Sequence, residues 1–384
     1  MKRIAKIIAT IYPLVGLFLL LAGAVACFFL LPFSIGGDGA VRFEFMDALV
    51  HQHRILPMRY SMVGPLVSLP LWLVSGFFKD SVAVISRYNF ILLIGALLVL
   101  YWWLKDHFDR KFLLSLGLIL FFASMIPAHL TTYYGEVFSA VCLLLGTVGL
   151  AMKKSGWGWA FLILAVLNTP ALLVPFALVV LYQTWESRQI RYLLLIPLCM
   201  VLMVGESTLR TGSLLAGFQT YLVQDHGYQT ALPYSGKAGY SYPFILGVLS
   251  ILFSFGKGIL FYCPGLLLGV WAWKSISDPT ERKLLTFWGL IVLGLILAYS
   301  SWWSWYGGWY WGPRFFLFAC VPASWLLAKL IHARDKSFLL TLSLSILLAL
   351  SLWVGVDGVV FQQDAMDICY ANNYALESFC WYLP

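Results

Sequence analysis

Residues 61–78, SMVGPLVSLPLWLVSGFF, decide how the chain is laid out. The stretch is apolar enough to cross a membrane, yet it contains Pro65, Pro70 and Gly76 and is flanked by Arg59 and Lys79. The charges further along settle the choice, because basic residues beside spans concentrate on the cytoplasmic side. With 61–78 lying in or dipping into the outer interface, sixteen of the 25 Lys and Arg, but only six of the 17 Asp and Glu, fall on the N-terminal side of the membrane. If the stretch crossed, every later basic cluster would change sides. It is therefore expected to be an interfacial helix, with the N-terminus inside and the C-terminus outside.

The rest of the chain fits that frame. Of 384 residues, 61% are hydrophobic and 11% charged, with a mean hydropathy of +0.86, well outside the soluble globular range. A span needs roughly 20 apolar residues. The pattern predicts an all-α polytopic membrane protein with about eleven transmembrane helices, near 10–31, 83–104, 112–130, 137–152, 157–168, 170–184, 192–208, 258–273, 284–301, 315–332 and 337–356, plus interfacial helices in the first outer loop. The apolar run after Lys2, Arg3 and Lys6 is too long for a cleaved signal peptide and is expected to be an uncleaved first span. The formal charge of +8 follows the sides of the membrane, and no basic, aromatic-interleaved stretch suggests nucleic acid. The segments 157–168 and 170–184 rise only about 18–22 Å each, so they are expected to turn within the membrane at Asn168, Thr169 and Pro170. Backbone there must then lie against protein or water. No repeat or linker divides the chain, so 1–384 is expected to be one domain.

The long loops fall outside: 32–82, 209–257, 302–314 and the tail 357–384. Function is expected there. In LPFSIGGDGAVRFEFMDALVHQHRILPMRY, residues 31–60, Asp38 follows two glycines and precedes a helix starting near Ala40. An Asp in that position can be a reactive carboxylate, a helix cap, or both. Glu44 and Asp47 share a helix face with Arg42 nearby, which suits a solvated surface. His51 and His53 are two apart and do not converge on one metal from a helix. The run Ser301–Tyr306, like Tyr101–Trp103, Trp157 with Trp159, and Trp271 with Trp273, is expected to be an aromatic interface belt. Tyr228 to Tyr242 is a candidate acceptor contact. Cys369 and Cys380 lie where a disulfide would tie down the outer tail. The other five cysteines read as small apolar residues.

Asp38 with its short amphipathic helix resembles the first outer loop of the GT-C superfamily of integral-membrane glycosyltransferases, the class of the protein O-mannosyltransferases and the lipid A aminoarabinose transferase. Three further stretches are similar to that class: Tyr133–Phe138, YYGEVF, where an acid opens a span; Phe253–Tyr262, FSFGKGILFY, a basic turn between glycines; and Tyr306–Phe315, YGGWYWGPRF, a Gly-Pro-Arg turn. The resemblance implies transfer of sugar from a polyprenyl-phosphate carrier to a lipid, glycan or protein acceptor on the outer side, in a multi-pass protein of a bacterial inner membrane. Members carry Asp-Glu where this chain has Asp38-Gly39, and no large soluble domain is expected in the stretch after the last span. Nothing in the sequence indicates a cofactor, divalent metal included.

Such chemistry needs a base for the acceptor hydroxyl and cations for the departing phosphate. Asp38 is the candidate base, its basicity expected to be raised by partial desolvation, and Glu136 is expected to orient the acceptor, assist Asp38, or pair with an arginine. Lys257 and Arg314 are the candidate phosphate ligands, with Arg59 and Arg87 behind them. Lys257 sits between glycines whose N–H groups could approach an anion, and Arg314 offers a bidentate fork. The bland alternative is that both cations snorkel to lipid headgroups. The rival functions are a lipid-linked glycan flippase or other transporter, an O-antigen-type polymerase or ligase, and a membrane scaffold. A transporter usually keeps ionisable groups or broken helices near mid-membrane.

Overall fold

The computed structural model describes residues 2–214, 239–254, 256–308, 310–333 and 336–361. Cys369, Cys380 and most of Tyr228–Tyr242 lie outside these residues. Among the described residues the chain is helical, apart from one isolated bridge between Ser34 and Thr132.

The first helix, α1 (Lys2–Leu30), is long enough to cross a membrane. It packs through Gly16 and Gly23 against Leu114 and Phe122 and leaves Leu14, Phe18, Phe29 and Leu30 exposed. Exposed apolar side chains on so long a helix suit lipid rather than water. Next come α2 (Asp38–Gln52), α3 (Val63–Val67), α4 (Leu69–Ser75) and α5 (Ser81–Ser86). The 61–78 stretch is thus two short helices of 5 and 7 residues broken at Ser68, whose hydroxyl bonds the Pro65 carbonyl. Neither reaches across a bilayer, and both belong to the layer that carries Asp38.

Then follow α6 (Tyr88–Leu104), α7 (Arg110–Phe122), α8 (Ile126–Leu130) and α9 (Gly135–Ala151). Helix α9 is the axis of the fold: all of its residues are buried except Glu136. Helix α10 (Ser155–Asn168) packs so closely on α9 that a Cβ at Gly158 would meet the Leu150 nitrogen at 2.8 Å. Small residues permit this approach where lipid supplies no hydrophobic drive. After a single 3₁₀ turn at Pro170–Leu172 come α11 (Leu173–Ser187) and α12 (Leu195–Thr211). The turn at Asn168 is held by protein, as expected: the Asn168 amide donates to the Gly135 carbonyl at 2.9 Å and to Ser139 Oγ at 2.8 Å. Pro170, in contrast, is exposed.

The second half departs further from expectation. An additional helix, α13 (Phe244–Phe253), precedes the Lys257 turn. The helix expected at 258–273 is instead α14 (Ile259–Tyr262), a 3₁₀ segment Pro264–Leu268 and α15 (Gly269–Ser275). Pro264 has no N–H to continue the first piece, so the chain restarts there. The remaining helices are α16 (Pro279–Tyr299), α17 (Cys320–Ile331), entered through a 3₁₀ run Arg314–Ala319, and α18 (Phe338–Val360). Among the described residues, five stretches are long and apolar enough to span a membrane.

The expected aromatic belt at 301–306 is corrected here. Trp303, Trp305 and Tyr306 are buried in the protein, because the chain folds back under the Tyr242 segment, where the Tyr242 N–H bonds the Ser301 carbonyl. Of the other expected anchors, Tyr101, Trp102, Trp157, Trp271 and Trp273 are exposed, whereas Trp103 and Trp159 are buried in the protein.

Candidate active site

At the Gly135 end of α9, loops from four parts of the chain meet. Asn89, fully buried, donates to the carbonyls of Thr132 at 2.7 Å and Tyr134 at 2.9 Å, and the Ser34 N–H bonds the Thr131 carbonyl at 2.9 Å. These bonds fix the loop before α2 to the loop before α9. Asp38 and Glu136, each at the start of its helix, therefore face one space.

Asp38 is the first residue of α2. Gly37, at φ +51°, makes the turn ahead of it, and a Cβ there would also strike the Tyr134 hydroxyl at 2.6 Å. Such a positive φ favours glycine. No side chain caps this helix. The carboxylate is committed elsewhere: Tyr60 donates to Oδ1 at 2.5 Å, Arg59 approaches the same oxygen at 3.4 Å, and Arg314 pairs with Oδ2 at 3.0 Å. The helix-cap alternative is thus not realised here.

Arg314 is the hub. Its second terminal nitrogen lies 3.4 Å from Glu136 Oε1, so one guanidinium bridges the two carboxylates, and its carbon sits 5.3 Å from the Tyr134 ring centroid. The side chains of Asp38, Glu136 and Arg314 are 21%, 18% and 13% exposed, partly dry but open to a ligand. The N-terminus of α9 adds a favourable dipole for Glu136.

This geometry reverses one expectation. Burial does push the Asp38 carboxyl up, but Arg314, the Tyr60 hydrogen bond and Arg59 together hold it below its ordinary value. In this state Asp38 is a firmly ionised carboxylate and a weaker base than desolvation alone would make it. Burial and the adjacent Asp38 push Tyr60 upward, so its hydroxyl stays protonated and donates.

The other candidate cations differ in position. Lys257 is 3% exposed and donates to three carbonyls of the glycine-rich turn, those of Gly308 at 3.4 Å, Gly312 at 3.1 Å, and Tyr310. The Gly258 N–H, expected to be available to an anion, bonds the Ser254 carbonyl at 2.6 Å. Lys257 thus braces the turn that delivers Arg314. Arg87 is not brought to the site: it bonds the carbonyls of Phe28 at 3.2 Å and Ala83 at 2.5 Å and lies over Phe28 and Phe33. Arg59 is present at the rim. Glu44 is exposed, and Asp47 pairs with His51 at 2.9 Å on an exposed face of α2.

Two participants lie beyond what the sequence signals. Tyr60 gives no sign beyond its neighbour Arg59. Arg42, expected on a solvated face, is buried, approaching the Ser61 carbonyl and Asn168 Oδ1 at 3.4 Å each and lying 5.1 Å from the Tyr60 ring centroid. An arginine on a helix of low apolar content looks like surface until the opposing loop is known.

No protein-family model matches the sequence, and no curated protein sequence does so significantly. The fold, in contrast, has solved counterparts. Two crystal structures of ArnT from Cupriavidus metallidurans, one bound to undecaprenyl phosphate and one in the apo state, superpose with TM-scores of 0.54 and 0.52 at 14% identity, each match covering 96% of this chain and 74% of the other. The chain therefore has a GT-C-like, all-α, polytopic membrane fold, and it is an integral membrane protein.

Proposed function

We propose that the chain is a membrane glycosyltransferase that moves a sugar from a polyprenyl-phosphate carrier to an acceptor hydroxyl on the outer face of the membrane, with inversion. The observation that carries this reading is the Arg314 guanidinium held between Asp38 and Glu136, all three side chains partly exposed. Similarity of fold to a protein crystallised with undecaprenyl phosphate supports a polyprenyl-phosphate ligand.

The chemistry follows from competition for Arg314. An arriving phosphate offers this fork its own oxygens in place of the Asp38 carboxylate. Asp38, released from its strongest cation, regains basicity. It then accepts the acceptor's proton as that oxygen bonds to the anomeric carbon. The bond from that carbon to the phosphate oxygen breaks, and the electron pair leaves with the polyprenyl phosphate, stabilised by Arg314. Attack opposite the leaving group inverts the centre. Arg59 lies at the rim to receive the headgroup, and Glu136 holds the other side of Arg314 in register. The acceptor class, whether lipid, glycan or protein, and a bacterial inner membrane with its site on the periplasmic side, are part of the same proposal.

Asp38→Asn keeps the shape of the side chain and removes the base. Purified protein carrying it should transfer no measurable sugar from a polyprenyl-phosphate donor, yet remain folded and bind polyprenyl phosphate. Full transfer by this variant would exclude Asp38 as the base.

A further inference from the structure

Among the described residues, the catalytic reading leaves a buried charged pair on α12 unused. Near the end of α12, in a stretch that is otherwise apolar enough to span a membrane, Glu206 and Arg210 meet at 3.1 Å with side chains 10% and 5% exposed. Charges in such a place are costly and usually have a specific task, and a buried pair is tolerated only when further hydrogen bonds satisfy it. Here those bonds all reach one segment. Glu206 Oε1 accepts from the Met62 N–H at 2.8 Å, and Arg210 donates to the Met58 carbonyl. The two contacts bracket Arg59, Tyr60 and Ser61. Between them Tyr60 lies with Arg42 5.1 Å and Arg59 4.7 Å from its ring centroid, and its hydroxyl reaches Asp38.

We propose that Glu206 and Arg210 are positioning residues that clamp the 58–62 segment at both ends and so hold Tyr60 and Arg59 on the Asp38 carboxylate. A free loop would let Tyr60 swing away from a bond that requires a fixed distance. Anchoring both flanks to a spanning helix removes that freedom, in the way supporting residues pre-orient a reacting group. This proposal rests on Asp38 being the base, but the clamp itself is a separate physical claim.

The test uses the full chain, purified in lipid nanodiscs, with Glu206→Met and Arg210→Met combined so that neither charge is left buried alone. Backbone hydrogen exchange of residues 58–62 should speed up at least about tenfold when the clamp is lost. In transfer assays, kcat should fall about tenfold or more, with a smaller rise in KM for the donor from the freed Arg59. The acid limb of the pH profile should also rise. Asp38 is faced by Arg314, by Tyr60 and Arg59, by Tyr134, and through Arg314 by Glu136, and only the Tyr60 and Arg59 contributions depend on the clamp. In a Tyr60→Phe background, the same double substitution should cost clearly less kcat than in the unsubstituted chain, the remainder being the Arg59 contribution, because coupled groups are not additive.

Unchanged exchange at 58–62 would overturn the clamp, and an equal loss of kcat with and without Tyr60 would overturn its route to Asp38. Should the unsubstituted chain transfer no sugar, the functional reading fails while the exchange result still decides the clamp. If the double variant does not fold, Arg210→Lys takes its place. It keeps the charge but loses the geometry that reaches Glu206 and Met58 together, and the same increase in exchange is expected, with none overturning the proposal.

Discussion

Asp38 shows how far one carboxylate's behaviour depends on its neighbours. Burial raises it, yet two arginines and a phenol outweigh burial and leave it below its ordinary value. Its pairing therefore stabilises the fold above about pH 4, the unfolded value, and that contribution is lost as pH falls through the lower folded value. Tyr60→Phe removes one of the three supports. A hydrogen bond to a charged group is worth about 1.5–3 kcal/mol, so the Asp38 acid limb in a pH–rate profile should move up by about one to two units. An unmoved limb would mean that Asp38 does not set it. The role of Tyr60 is not legible in the sequence, because hydrogen-bonding partners 22 positions apart depend on where the intervening loop turns back.

At the scale of elements, the turn 307–314 depends on Lys257. Gly307, Gly308 and Gly312 all have positive φ, between 68° and 83°, a conformation suited to glycine that here leaves carbonyls pointing inward with no helix to satisfy them. The ammonium takes up that task by donating to three carbonyls of the turn. Lys257→Met would take the ammonium from all three carbonyls, and although those of Gly308 and Gly312 keep the Tyr310 and Arg314 N–H groups as donors at 2.9 and 3.0 Å, the Tyr310 carbonyl loses its ammonium, at about 1–3 kcal/mol for an unrelieved group. The midpoint of thermal unfolding in detergent should fall by several degrees and transfer should drop with it, since Arg314 is displaced. Unchanged stability would mean that the turn holds itself. Which elements are legible in the sequence follows from the same physics. Asp38, Glu136 and Arg314 stand out because a charge or a glycine run interrupts apolar sequence, and the structure brings those three together. Lys257 is legible as a basic turn, but its carbonyl partners lie some fifty residues away and no local pattern reveals them. The break at Pro264 and the burial of Trp303 and Trp305 escape notice for a related reason. Apolar and aromatic runs read alike whether they face lipid or protein. Glu206 and Arg210, at i and i+4 in an apolar helix, are a signal that the sequence does contain.

For the whole molecule, the arrangement of ionisable groups separates the two ends of the bundle. Asp38, Glu136, Arg314, Lys257, Glu206 and Arg210 gather at the Gly135 end of α9, while Glu281 with Lys329, and Glu186 with Lys283, pair where α16 begins. A transporter built around a mid-membrane site would place such groups between these ends. The sidedness rests on residues 61–78, which the fold divides into helices of 5 and 7 residues rather than one span. Whether this stretch crosses decides the side of everything downstream, because one additional crossing would move Lys153 and Lys154 to the face of Asp38. Single cysteines in a cysteine-free background test this directly. At His53 and at Lys79, on either side of the stretch, both should react with a membrane-impermeant maleimide from outside intact cells, while one at Lys153 should react only after the membrane is opened. Labelling of 53 and 79 from opposite sides would put a span between them and reverse the side of every basic cluster that follows, bringing Lys153 and Lys154 to the face of Asp38.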